Sequence, residues 1–160
     1  MNAMTQKVKT EKVLAVFQVL NTAKYGKLDD QDKIKVWKIA RKMKPIATKF
    51  EEESKDAAEK MKPGEQFDEQ LQKAQQYEIE IRKPDCDAAK LPMGAAEYQE
   101  FITEFKKYQK LVNDAVKEFA DKEVDLEFEP VSEDVFGKLM ASNDWTVDQA
   151  TTLGDFICGE

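Results

Sequence analysis

Apolar residues recur along most of the chain at helical spacing. Val13, Leu14, Phe17 and Leu20 form one stripe, widened by Val16 and Val19, and predict a first helix over about residues 11–25. Thr10 stands where an N-cap belongs, and Gly26 where a left-handed C-cap would close the helix. A second, longer helix starts at Asp29 or Asp30, whose carboxylates suit the positive end of the helix dipole. Val36, Ile39, Met43, Ile46, Phe50 and Ala57 follow on alternating three- and four-residue steps, with Glu53 interrupting. This is a heptad-like seam suited to packing one helix along another, within the chain or between two copies of it. Pro45 predicts a kink or a split near Lys44, because it removes a backbone hydrogen bond. Lys62-Pro63-Gly64 ends the element.

Residues 65–77 read as a shorter helix with Phe67, Leu71 and Ala74 on one face. Glu78-Ile79-Glu80-Ile81-Arg82 then switches to period two, the mark of a half-buried strand. Lys83 to Gly94, with Pro84, Pro92 and Gly94, reads as a loop and a mobile connection. A long helix is expected over about residues 95–120, with a broad face running from Tyr98, Phe101 and Phe105 to Val116 and Phe119; so many aromatic residues read as core. Val124 to Phe128 returns to period two and is expected to pair with residues 78–82. A lone ribbon is marginal in water, so this one must lie against a helix. Ser132 caps a short helix bearing Val135, Phe136, Leu139 and Met140, and Asn143-Asp144-Trp145 makes a turn. Thr146 and Gln149 match a capping box for a last helix carrying Ala150, Leu153, Phe156 and Ile157. The expected fold is mainly α: a single-domain helical bundle over residues 1–160, of long and short helices, with a small two-stranded β element.

Composition narrows the chemistry. The 160 residues are 41% apolar and 36% charged, and a chain of this size buries roughly 70% of its unfolded surface. Histidine is absent, which excludes Ser-His and Cys-His nucleophile pairs and histidine metal sites. Cys86 and Cys158 form no CxxC pair and read as free thiols of a reducing, cytoplasmic compartment, with a disulfide between them as the alternative. No segment has the apolar length of a membrane span or the pattern of a signal peptide. Asp29-Asp30-Gln31-Asp32 lacks the alternating ligands and central glycine of a calcium loop. Asp85-Cys86-Asp87 and Glu51-Glu52-Glu53 are no stronger as ligand sets, and no glycine-rich phosphate loop occurs. The sequence therefore names no catalytic residue, no metal ligand and no cofactor, and the expectation is a non-enzyme. An enzyme with a carboxylate metal or acid/base site is the least favoured alternative.

Charge adds a direction. The net charge is -7, but residues 1–50 hold 12 Lys/Arg against 4 Asp/Glu, while the last forty residues hold 2 Lys against 11 Asp/Glu. Overall acidity, and arginine at Arg41 and Arg82 alone, argue against sequence-specific nucleic-acid recognition. Lys35, Lys38, Arg41, Lys42 and Lys49 form a basic stripe opposite the apolar seam of the second helix. It reads as a solvated face partly neutralised by the acidic end of the chain, or as a docking surface for an acidic partner. Non-specific contact with a nucleic-acid backbone is the third reading. Trp145, in its turn, reads as a plug over the core or, if exposed, as an interface anchor.

The order of elements resembles a family of small helical phage and prophage proteins of unknown function encoded among virion genes. The matching parts are the apolar opening helix from Val13 to Leu20, the long charged helix from Ile34 to Met61, the passage from Phe119 into "KEVDLEFEPVSEDVF", and the capped end "TVDQATTLGDFI". The resemblance implies a phage or mobile-element accessory or assembly protein acting through protein–protein contacts. It implies a virion component or host protein as partner, and a location in the host cytoplasm or on the virion. It transfers no functional residue. The acidic balance suggests an alternative: a phage-encoded inhibitor of a host defence protein that mimics nucleic acid.

Overall fold

Most of the predicted helical periodicity is realised. A computed structural model, which describes residues 3–159, contains six α-helices and two β-strands among those residues. In order these are β1 (Met4–Lys9), α1 (Thr10–Asn21), α2 (Asp30–Lys60), α3 (Phe67–Ile81), α4 (Ala95–Asp121), β2 (Glu123–Phe128), α5 (Glu133–Ala141) and α6 (Val147–Ile157). The fold is mainly α with a small antiparallel two-stranded sheet. Among the described residues, no helix is long and apolar enough to cross a membrane. The chain divides into two compact units: one made of the chain up to Glu53 together with Glu118 onward, the other of Ser54–Lys117. The helices α2 and α4 each contribute to both.

The first unit is built around the pairing of β1 with β2, in a register that sets Met4 opposite Phe128 and Lys9 opposite Glu123. This corrects the expected partner of residues 124–128. The start of the chain, which reads as merely polar, forms the strand. Its exposed side places Lys7 opposite Asp125 and Lys9 opposite Glu123, a favourable cross-strand arrangement. The other side carries Met4 and Val8, packed on a core into which β2 sends Leu126 and Phe128. Residues 78–82, by contrast, are helical to Ile81. Tyr77 is buried one helical step beyond Ala74, and the Tyr98 hydroxyl donates to the Glu78 carboxylate, so α3 continues through the alternating stretch.

Three local expectations also change. Thr10 is the first residue of α1 rather than its cap; its backbone N–H and its hydroxyl both donate to the carbonyl of Lys122, at 2.9 and 2.8 Å. That bond fixes the entry of α1 beside the entry of β2. The helix then ends at Asn21 rather than Tyr25, and no described residue adopts a left-handed backbone, Gly26 included. Pro45 does not split α2, which runs unbroken from Asp30 to Lys60. The proline lies on the exposed face, where the carbonyl deprived of its donor is on the water side of the helix.

The seam of α2 is used inside the chain. Val36, Ile39 and Met43 are buried against Val13, Val16 and Leu20 of α1, Leu139 of α5, and Leu153 and Ile157 of α6. Each such side chain contributes roughly 1.5–3 kcal/mol by leaving water, so this half of the seam is closed to a second copy. Local caps fix the remaining elements as expected. Ser132 Oγ accepts from the N–H of Val135 at 3.2 Å, and Thr146 and Gln149 complete their reciprocal box. The α1–α2 connection is tied by the end of α5: Asn143 accepts from the N–H of Lys24 and donates to the carbonyls of Lys24 and Leu139.

The second unit packs α3 against its part of α4 through aromatic rings. Phe67 meets Tyr108 with centroids 4.7 Å apart, and Tyr77 stacks on Tyr98 at 4.5 Å. Phe101 is buried among them, and the Tyr108 hydroxyl donates to the carbonyl of Ala58 at 2.7 Å. The connection over residues 83–94 holds a short 3-10 turn at Ala88–Lys90, capped by the Asp87 side chain.

The helical assignment of residues 78–81 is checked by substitution. Ile79 and Ile81 are 55% and 45% exposed. Changing each to Ala is expected to leave the unfolding free energy within about 0.5 kcal/mol, because Ala is the better helix former at a surface site. A loss of helical circular dichroism, or of about 1 kcal/mol or more per site in denaturant titration, would contradict the assignment.

Candidate functional site, a cationic groove on the second helix

Packing Val36, Ile39 and Met43 inward turns the opposite face of α2 outward. That face presents Lys35, Lys38, Arg41 and Lys42, which line one wall of a groove of about 850 Å³. Glu127, Glu129 and the segment Pro130 to Ser132 line the other wall. Ile39, Phe128 and Val131, buried members of the core, also line it. The second wall is placed by two backbone features. One is the β1–β2 register, which ends at Phe128; the other is a parallel bridge from Val131 to Cys158, where the N–H of Val131 donates to the carbonyl of Ile157 at 2.9 Å.

The cations are not equivalent. Lys35 is paired with Asp32 at 3.3 Å. Asp32 is almost fully buried and also faces Lys138 of α5 at 3.7 Å, so this cluster fastens α2 to α5. Its neighbours Asp134 and Asp32 raise the Lys138 ammonium above the usual lysine range, Asp134 contributing most. Lys38, Arg41 and Lys42 have no ion-pair partner among the described residues. The acidic end of the chain thus lends two carboxylates to the groove without pairing these cations. Lys49, the last member of the stripe, lies apart. It pairs with Glu53 at 3.8 Å over a separate pocket of about 60 Å³ beside Phe50 and Phe119.

Trp145 is also outside the groove. Its half-buried ring stacks on Phe136 at 6.4 Å and packs against the core, which is the arrangement of a plug. The exposed tryptophan is Trp37, with 53% of its surface open. The Arg41 guanidinium lies 5.2 Å from its ring centroid, within cation–π range. Sequence reasoning passed over Trp37, although its position opposite Val36, Ile39 and Met43 was a usable signal.

The remaining chemistry is sparse. Asp29 is a cap: its carboxylate accepts from the N–H of Asp32 at 2.8 Å. Among the described residues, no group of three or more Cys, Asp or Glu side chains gathers to hold a metal. Both cysteines are free thiols; burial pushes the Cys158 thiol up, helped by the charges of Glu133 and Asp155. Ser132, the hydroxyl at the groove, is engaged as a helix cap. The arrangement can therefore attract and orient anionic groups beside an apolar surface. Comparison of the chain with family models, curated proteins and solved structures finds no match.

The different placing of the two tryptophans predicts different costs. Trp145→Ala, which opens a space beside Phe136, is expected to lower stability by about 2–4 kcal/mol. Trp37→Ala is expected to stay within about 1 kcal/mol of the parent, as surface sites do. Denaturant unfolding of both variants measures this, and equal costs would contradict the assignment of plug and surface residue.

Proposed function

We propose that the chain is a non-enzymatic accessory or assembly protein of a phage or mobile element, and that it works by holding an acidic segment of a protein partner in the α2 groove. The observation that carries this reading is the set of three cations without ion-pair partners among the described residues, Lys38, Arg41 and Lys42, along one wall of a large concave surface. Solvated lysines scattered over a convex helix would need no partner. Here all three line one concavity, where an anion is attracted by several charges at once. The assignment to a phage or mobile element rests on the order of elements and their composition. A virion component is the favoured partner, with the host cytoplasm or the virion as the place of action.

The other reading, an acidic inhibitor that imitates nucleic acid, draws on the excess of carboxylates in the last forty residues. It places the binding face on the acidic end of the chain and leaves the α2 cations idle. Charge reversal on α2 separates the two. The tagged chain is expected to retain a virion component from cells carrying the element, in amounts that fall as salt is raised. Lys38→Glu with Lys42→Glu is expected to reduce that retention about tenfold or more, the size expected for reversing charges at an interface. Retention of host defence proteins alone, or undiminished retention by the variant, would overturn the proposal.

A further inference from the structure

We propose that Ile34, Trp37 and Arg41 form the specificity anchor of the groove, taking an apolar side chain that lies next to a carboxylate in an acidic peptide. This rests on the reading of the groove as a site for an acidic protein segment, and adds the chemistry of that segment.

The three residues are spaced i, i+3 and i+7 and so share one face of α2. Ile34 is 51% exposed and Trp37 53% exposed, and neither belongs to the core clusters. Their apolar surface is thus uncovered, and although neither lines the groove, Arg41 links the two surfaces, being both a groove-lining residue and the partner of the Trp37 ring. The guanidinium carbon lies over the Trp37 ring, which holds the group on this side of α2. Arg41 has no ion-pair partner among the described residues, and a guanidinium edge can grip a carboxylate in bidentate fashion. An apolar side chain beside that carboxylate would cover Trp37 and Ile34. Trp and Arg are the residue types most enriched where interfaces gain most of their affinity.

The same combination of cations and an aromatic ring could stack nucleotides. The far wall decides against that. Glu127 and Glu129 line the same groove as Lys38 and Lys42, and their carboxylates would repel an unbroken phosphate backbone. A peptide carries its charges intermittently and can turn amides or a basic side chain toward that wall.

The test uses the full chain with Trp145→Phe, which leaves Trp37 as the sole tryptophan of the two. Three probes are titrated at one salt concentration: a peptide of alternating Glu and Gly, the same peptide with Leu in place of Gly beside some of the carboxylates, and oligothymidylate. The leucine-bearing peptide is expected to bind most tightly and to shift Trp37 emission to the blue. In the chain retaining Trp145, Trp37→Ala is expected to weaken that peptide about tenfold or more and the leucine-free peptide far less, read by polarisation of labelled peptide. Thermal unfolding of each variant confirms that it folds. If both peptides bind alike and Trp37→Ala changes neither, the anchor is wrong while the groove reading stands. If neither peptide binds, the groove reading falls and the anchor with it. If oligothymidylate binds most tightly, the surface serves nucleic acid and the proposal is overturned.

Discussion

The pairing of β1 with β2 is the constraint on which the first unit depends. It joins residues 4–9 to residues 123–128, with the other unit inserted between them in sequence. Closing so long a loop costs chain entropy, though the cost grows only slowly with length. A two-stranded ribbon cannot offset that alone. It is offset where the inner face of the ribbon joins the buried side chains of α1, α2, α5 and α6. The doubled bond from Thr10 to the Lys122 carbonyl pins both strands at the end from which the helices leave.

The groove follows from this packing. Because Val36, Ile39 and Met43 are committed to the core, the lysine face of α2 has only one direction left. Because β2 ends at Phe128 and the chain is held again at Val131, the segment between them forms a wall beside that face. The concavity is thus produced by core formation and strand register. Its charge is produced by the polar residues that the register leaves outside. The proposed docking surface thus has a shape that the core enforces and a charge that the core does not use.

The sequence made the parts governed by local chemistry readable. Ser132, and Thr146 with Gln149, mark the starts of α5 and α6 because capping needs only residues three apart. The broad aromatic face of α4 and the seam of α2 are equally local. What was hidden is non-local. Met4-Thr5-Gln6-Lys7-Val8-Lys9 turns Gln6 inward with Met4 and Val8, so its apolar signal is too thin to announce a strand. Glu78-Ile79-Glu80-Ile81 alternates like a strand, yet helix continuation from Ala74 and Tyr77 prevails over period two. The cationic wall of the groove was visible as the stripe from Lys35 to Lys42. Its acidic wall was not, since placing Glu127 and Glu129 requires the β1–β2 register. Trp37 was visible by its spacing and was passed over.

Amide hydrogen exchange over residues 4–9 tests this account most directly. Of these, the amides of Gln6 and Val8, which the register turns toward β2, are expected to be protected together with those of Val124 and Leu126 and to open with the core helices as one cooperative unit. Free exchange at Gln6 and Val8 while α1, α5 and α6 remain protected would mean that the ribbon does not hold the first unit closed, and the wall that shapes the groove would lose its support.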